Sequence, residues 1–127
     1  MQKWAQEFAS LLKPGSVVAL YGNLGAGKTT LVQMMAPLLL QEKANIHSPT
    51  FSYLHVYEGN IPIFHFDLYR LKSLEDFVNL GWEEHLYEEG VCFIEWPEKI
   101  SSLLPKNTFH LTLDIASNKR RITLTKN

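Results

Sequence analysis

The chain has 127 residues, 46% hydrophobic and 20% charged, long enough to bury one core and too apolar for a disordered tail or a low-complexity repeat. Twelve Lys and Arg against thirteen Asp and Glu give a formal net charge of -1, so no general basic field exists to hold a nucleic-acid backbone, and direct DNA binding is not expected. The single cysteine, Cys92, excludes an internal disulfide or a cysteine-based metal cluster and points to a reducing cytosol; no run reaches the roughly eighteen apolar residues of a membrane span.

From Trp4 to Leu12 the apolar positions recur at helical spacing, and Lys13-Pro14-Gly15 ends the pattern. Lys3, Gln6 and Glu7 break the apolar continuity that a signal peptide needs. Ser16 to Tyr21 is a β-branched, apolar run between Gly15 and Gly22, the pattern of a strand covered on both faces. A helix is predicted from Lys28, carrying Leu31, Val32, Met34 and Met35, with Pro37 expected to kink or end it. Ile46 to Thr50 has loop composition, Phe51 to Tyr57 alternates like a strand, and Glu58-Gly59-Asn60 predicts a hairpin turn into a second strand, Ile61 to Asp67. Ser73, followed by Glu75 and Asp76, has the form of a helix N-terminus, and an acidic segment runs from Trp82 to Glu89 before Gly90. Val91 to Ile94 is a buried-strand run that ends in Glu95, and Thr108 to Asp114 with Arg120 to Thr125 predicts a terminal hairpin. No repeat or linker divides the chain, so one domain is expected over residues 1–127.

Gly22-Asn23-Leu24-Gly25-Ala26-Gly27-Lys28-Thr29 fits the pattern G-x-x-x-x-G-K-(S/T) and falls between a predicted strand and a predicted helix, the context such a phosphate-binding loop requires. Glycines let the backbone wrap an oxyanion with its N–H groups pointing inward, and the following helix adds the positive end of its dipole. Lys28 then supplies a mobile ammonium for the β- and γ-phosphates, and the Thr29 hydroxyl a ligand for Mg²⁺, with Thr30 beside it. A glycine-rich turn matching by chance is the bland alternative, and the agreement of motif with flanking elements argues against it.

Such a loop needs an acid at the end of a neighbouring strand, and two qualify: Glu95 after Val91 to Ile94, and Asp67 after Ile63 to Phe66. Each has the alternative of turning its strand into solvent or capping the segment that follows. Ser48-Pro49-Thr50 reads either as a loop sensing the γ-phosphate or as a plain polar turn, and Arg70 either as a phosphate contact or as a partner for Glu75. The five histidines, His47, His55, His65, His85 and His110, form no H-x-H or H-x-x-x-H pair and are expected to pack or lie at the surface. Cys92 is expected to be a core thiol, Trp82 and Trp96 to pack, with Trp96 beside Glu95 near the proposed site, and Glu83, Glu84, Glu88 and Glu89 to form a solvated face, with partner docking the lesser alternative. The only Asn-Lys pair, Asn118-Lys119, has Arg121 where guanine recognition by N-K-x-D needs Asp, which favours ATP or weak base selectivity.

Four blocks in order, Leu20 to Thr30, Ser48 to Phe51, His65-Phe66-Asp67-Leu68-Tyr69-Arg70-Leu71 and Ile94-Glu95-Trp96-Pro97-Glu98, closely resemble the TsaE family, the small bacterial ATPases of tRNA threonylcarbamoyladenosine synthesis. The resemblance implies a cytoplasmic protein that binds ATP and Mg²⁺, hydrolyses ATP slowly, and works with the TsaD and TsaB proteins that modify adenosine 37 of tRNAs reading codons that begin with A. It implies contact with tRNA only through that complex, and no membrane. On the family's pattern Thr29 and Glu95 hold the metal, Lys28 the phosphates, and Asp67 assists water or metal placement; Arg121 falls near an arginine of the family's last hairpin. The expected fold is a three-layer α/β P-loop NTPase fold with a mixed, mainly parallel sheet and a C-terminal hairpin. The alternatives are an assembly switch in which hydrolysis is incidental, or a small-molecule kinase, for which the chain shows no arginine-rich lid.

Overall fold

The structure, a computed structural model, describes residues 2–23, 25–40, 53–59, 61–87, 90–116 and 119–126. In chain order the elements are helix α1 (Gln2–Ala9), strand β1 (Val17–Tyr21), helix α2 (Lys28–Leu40), strands β2 (Leu54–Tyr57) and β3 (Ile63–Asp67), helix α3 (Leu74–Asn79), a 3₁₀ segment (Glu83–Tyr87), strand β4 (Val91–Glu95), a kinked 3₁₀ segment (Pro97–Leu103), and strands β5 (Phe109–Ala116) and β6 (Lys119–Lys126). The six strands form one sheet in the order β2-β3-β4-β1-β5-β6. The four inner strands run parallel, and β2 and β6 close the two edges as antiparallel partners of β3 and β5.

Period-two alternation sends each inner strand's side chains to opposite faces, and both faces are apolar, as a sheet covered on both sides requires. Val18 and Leu20 of β1, Val91 and Phe93 of β4 and Leu111 and Leu113 of β5 pack with Ala5 and Phe8 of α1 and Leu31, Val32 and Met35 of α2. On the other face Val17, Phe64, Phe66, Cys92 and Ile94 pack against Phe77 of α3, Leu86 and Ile100. These are the three layers expected. Cys92 is the buried thiol anticipated, and Ser73 caps α3 by accepting a hydrogen bond from the Asp76 amide.

Strand β3 begins at Ile63 rather than Ile61 and β5 runs on to Ala116 rather than Asp114, and two helix ends also differ from the sequence reading. Helix α1 stops at Ala9 rather than Leu12, because Leu11 and Leu12 donate to Phe8 and Ala9 in tight three-residue turns that lead into Pro14 and Gly15. Pro37 does not end α2, which continues to Leu40. Pro37 lies on the exposed side of that helix, where water can satisfy the carbonyl that loses its partner, while Leu38, Leu39 and Leu40 still pack against the core. Residues Ile46 to Thr50, with the proposed phosphate-sensing Ser48-Pro49-Thr50, lie outside the described residues, as does Leu24.

Candidate functional site

Strand β1 delivers the chain into the glycine-rich loop at Gly22, whose φ is 148°; a Cβ built there would lie 2.7 Å from the Leu113 carbonyl oxygen of β5. Only glycine fits both the dihedral and the space. Gly25 and Gly27 also have positive φ, 82° and 100°, Ala26 donates its amide to the Asn23 carbonyl, and α2 starts directly at Lys28. The Lys28 side chain is buried, with Nζ donating to the Gly22 carbonyl at 2.7 Å and lying 3.7 Å from the centre of the Trp96 ring. Burial pushes its pKa down, and the negative charges of Glu95, Glu98 and Asp67 work against that shift.

Parallel pairing brings the two candidate acids together. Asp67 is in register with Glu95, and Glu95 with Leu20 of the neighbouring β1, so both carboxylates reach the carboxyl edge of the sheet beside the loop. Glu95 is buried, and its Oε2 accepts from Thr29 Oγ1 at 2.7 Å and from His65 Nε2 at 2.5 Å. Burial raises the Glu95 pKa, but the hydrogen bonds from His65 and Thr29, with the charge of Lys28, outweigh it and hold the carboxyl below the usual glutamate range. Asp67 is exposed, and its Oδ1 accepts from the Tyr69 amide at 3.2 Å.

Gly25, Gly27, Lys28, Thr29, Thr30, Asp67 and Glu95 line one cleft of about 280 Å³. Tyr69 and Trp96 complete its wall, their rings 5.1 Å apart. Gly22, Asn23 and Ala26 shape the loop behind it. A larger groove of about 450 Å³ opens at the opposite end of the strands, between α1 and the end of α2, but among the described residues Lys13 is the only ionisable one in its lining. Chemistry rather than volume therefore singles out the smaller cleft.

The donor set fits Mg²⁺. Thr29 spends its one hydroxyl hydrogen on Glu95, which leaves oxygen lone pairs to offer a cation, and the two carboxylates are hard oxygen donors. Among the described residues no group of three or more His, Cys, Asp or Glu forms a chelating set, so the fit is to a cation completed by phosphate oxygens and water.

Three features lay beyond the sequence reading. Trp96 adopts a left-handed conformation, φ 60° and ψ 50°, which costs a residue with a Cβ about 1–2 kcal/mol. That residue joins β4 to the 3₁₀ segment from Pro97, and its indole lies over Lys28 Nζ. Lys99 Nζ donates to the carbonyls of Tyr69 and Leu71 at 2.9 and 2.6 Å, tying the turn after β4 to the loop after β3. His65, expected to pack or lie at the surface, is buried and hydrogen-bonded to Glu95; its spacing of two from Asp67 was the available signal, since residues i and i+2 of a strand share a face. Arg70 and Arg121 are exposed, and His47 lies outside the described residues.

A mainly parallel sheet with a glycine-rich loop joining its central strand to a helix, and acids at the adjacent strand ends, defines a P-loop α/β protein. The chain matches the family described as "Threonylcarbamoyl adenosine biosynthesis protein TsaE" over residues 1–123. It is 46% identical over 123 residues to the tRNA threonylcarbamoyladenosine biosynthesis protein TsaE of Treponema pallidum, covering 96% of this chain and 90% of that one. It is 36% identical over 119 residues to the protein of the same name from Bacillus subtilis, covering 92% and 73%. The crystal structure of Bacillus subtilis YdiB superposes with a TM-score of 0.78 at 31% identity, covering 98% of this chain and 77% of that one. The chain belongs to the TsaE family.

Proposed function

We propose that this chain is the ATP-binding and ATP-hydrolysing member of the machinery that makes threonylcarbamoyladenosine in tRNA, acting in the cytoplasm with TsaD and TsaB. Membership of the TsaE family supports the pathway. The observation that carries the chemistry is the convergence of Lys28, Thr29, Asp67 and Glu95 on one cleft at the carboxyl edge of the sheet. No described helix is long and apolar enough to cross a membrane.

In this reading the loop from Gly22 to Thr30 holds the phosphates through backbone N–H groups and the start of α2, and Lys28 supplies positive charge to the β- and γ-phosphates. Thr29 and Glu95 hold Mg²⁺, which when bound neutralises charge building on the phosphate oxygens. With its pKa held low, Glu95 is an ionised carboxylate at neutral pH. Asp67, exposed at the rim, orients the attacking water: its oxygen bonds to the γ-phosphorus as the bond to the β-phosphate oxygen breaks, ADP leaves with that electron pair, and the water's proton passes to the released phosphate. Carbamoyl transfer belongs to TsaD, and ATP hydrolysis resets the complex between cycles.

Phosphate release from ATP with Mg²⁺ tests the proposal. Slow turnover by the wild type, lost in Lys28→Ala, is the expected result; equal turnover in the two proteins would refute the site assignment.

A further inference from the structure

We infer that His65 is a positioning residue that acts through Glu95 to aim the Thr29 hydroxyl. The inference rests on the ATPase reading above and assigns a role to a side chain outside the loop and the strand-end acids.

His65 and Glu95 are both buried, 6% and 3% exposed. In the parallel register His65 faces Phe93 and Asp67 faces Glu95, so strand alternation puts His65 diagonally across from Glu95 on the sheet face that carries α2. His65 Nε2 lies 2.5 Å from Glu95 Oε2, a contact in which the imidazole N–H donates and the carboxylate oxygen accepts when the ring hydrogen is on Nε2. Thr29 reaches the same oxygen at 2.7 Å, and neither contact uses Oε1.

The terminal torsion of a glutamate is broad and roughly two-fold, so an unpinned carboxylate swaps its oxygens freely. Two donors on one oxygen remove that freedom. The Thr29 donor alone cannot supply the restraint, because the hydroxyl itself rotates; the imidazole is anchored in β3 and does not. Held by His65, Oε2 takes the Thr29 hydrogen from a fixed direction, and the hydroxyl lone pairs point away from it, toward the cleft. Groups that orient a metal's ligands in this way are typically worth about 10- to 100-fold in metal affinity or activity.

The test compares His65→Leu, which removes the donor, with His65→Gln, whose amide nitrogen occupies nearly the same place as Nε2. If His65→Leu does not fold, His65→Phe, which keeps a planar ring and has no donor, replaces it. Three quantities are read: kcat and KM for ATP; Mn²⁺ affinity in the presence of a non-hydrolysable ATP analogue, by electron paramagnetic resonance; and affinity for that analogue in EDTA. The donor-less variant should lose about 10- to 100-fold in kcat and in Mn²⁺ affinity, with metal-free nucleotide affinity unchanged, and His65→Gln should recover most of both. Wild-type Mn²⁺ affinity in the donor-less variant, or equal impairment in His65→Gln, would overturn the inference. Failure of the ATPase reading is distinguishable, because it would appear in the wild type as absent metal-dependent nucleotide binding and turnover.

Discussion

Lys28 and Glu95 carry opposite charges into one buried corner, and each leans on groups the other does not touch. Lys28 rests on the Gly22 carbonyl and the Trp96 ring, Glu95 on Thr29 and His65. On the proposed reading Lys28→Ala removes a charge-assisted phosphate contact worth about 1.5–3 kcal/mol, so calorimetry should show ATP binding weakened by roughly 10- to 150-fold. Glu95→Gln should keep nucleotide binding close to wild type and lose turnover, which single-turnover kinetics with labelled ATP would resolve. The same carboxylate leaves a mark on stability. Its pKa is lower folded than unfolded, so its contribution is fully present above the ordinary glutamate value, about 4.3, and is lost as pH falls through the lower folded value. Urea unfolding at a series of acidic pH values should therefore show a shallower stability loss for Glu95→Gln than for the wild type across that window.

At the scale of elements, the loop and the strand beside it depend on each other through Gly22. A methyl group at Gly22 would meet the Leu113 carbonyl at 2.7 Å with φ at 148°, so Gly22→Ala should lower the melting temperature and weaken ATP binding together; loss of neither would mean that the loop can move away from β5 freely. Helix α2 supports a converse prediction. Pro37 lies exposed inside it, and Pro37→Ala should restore one helical hydrogen bond and stabilise the fold by about 1–3 kcal/mol, measured by denaturant unfolding. Elements of this kind were legible in the sequence where local signals were strong. Val91 to Ile94 is an unbroken apolar run, and a glycine on each side bounded β1. The persistence of α2 past Pro37 was not legible, because it depends on which side of the helix meets solvent. His65 escaped for a related reason: a histidine in an apolar strand looks the same in sequence whether it packs or pairs, and only the register of β3 against β4 separates the two.

At the scale of the whole molecule, strand order is the part furthest from the sequence. Strand β1 lies between β4 and β5, partners more than seventy residues away along the chain, and parallel pairing over such distances leaves no local trace. The hairpins at the two sheet edges, by contrast, were marked by turn residues and alternation. The consequence of the order is functional. It places the ends of β1, β3 and β4 side by side, so that the loop, Asp67 and Glu95 meet although they come from three separate stretches of chain. The most direct measurement is the rate of phosphate release from ATP with Mg²⁺ by the wild type, alone and with TsaD and TsaB from the same organism. The account predicts slow release by the chain alone, a faster rate with both partners present, and neither with Glu95→Gln. A rate indifferent to the partners, or unchanged in Glu95→Gln, would contradict it.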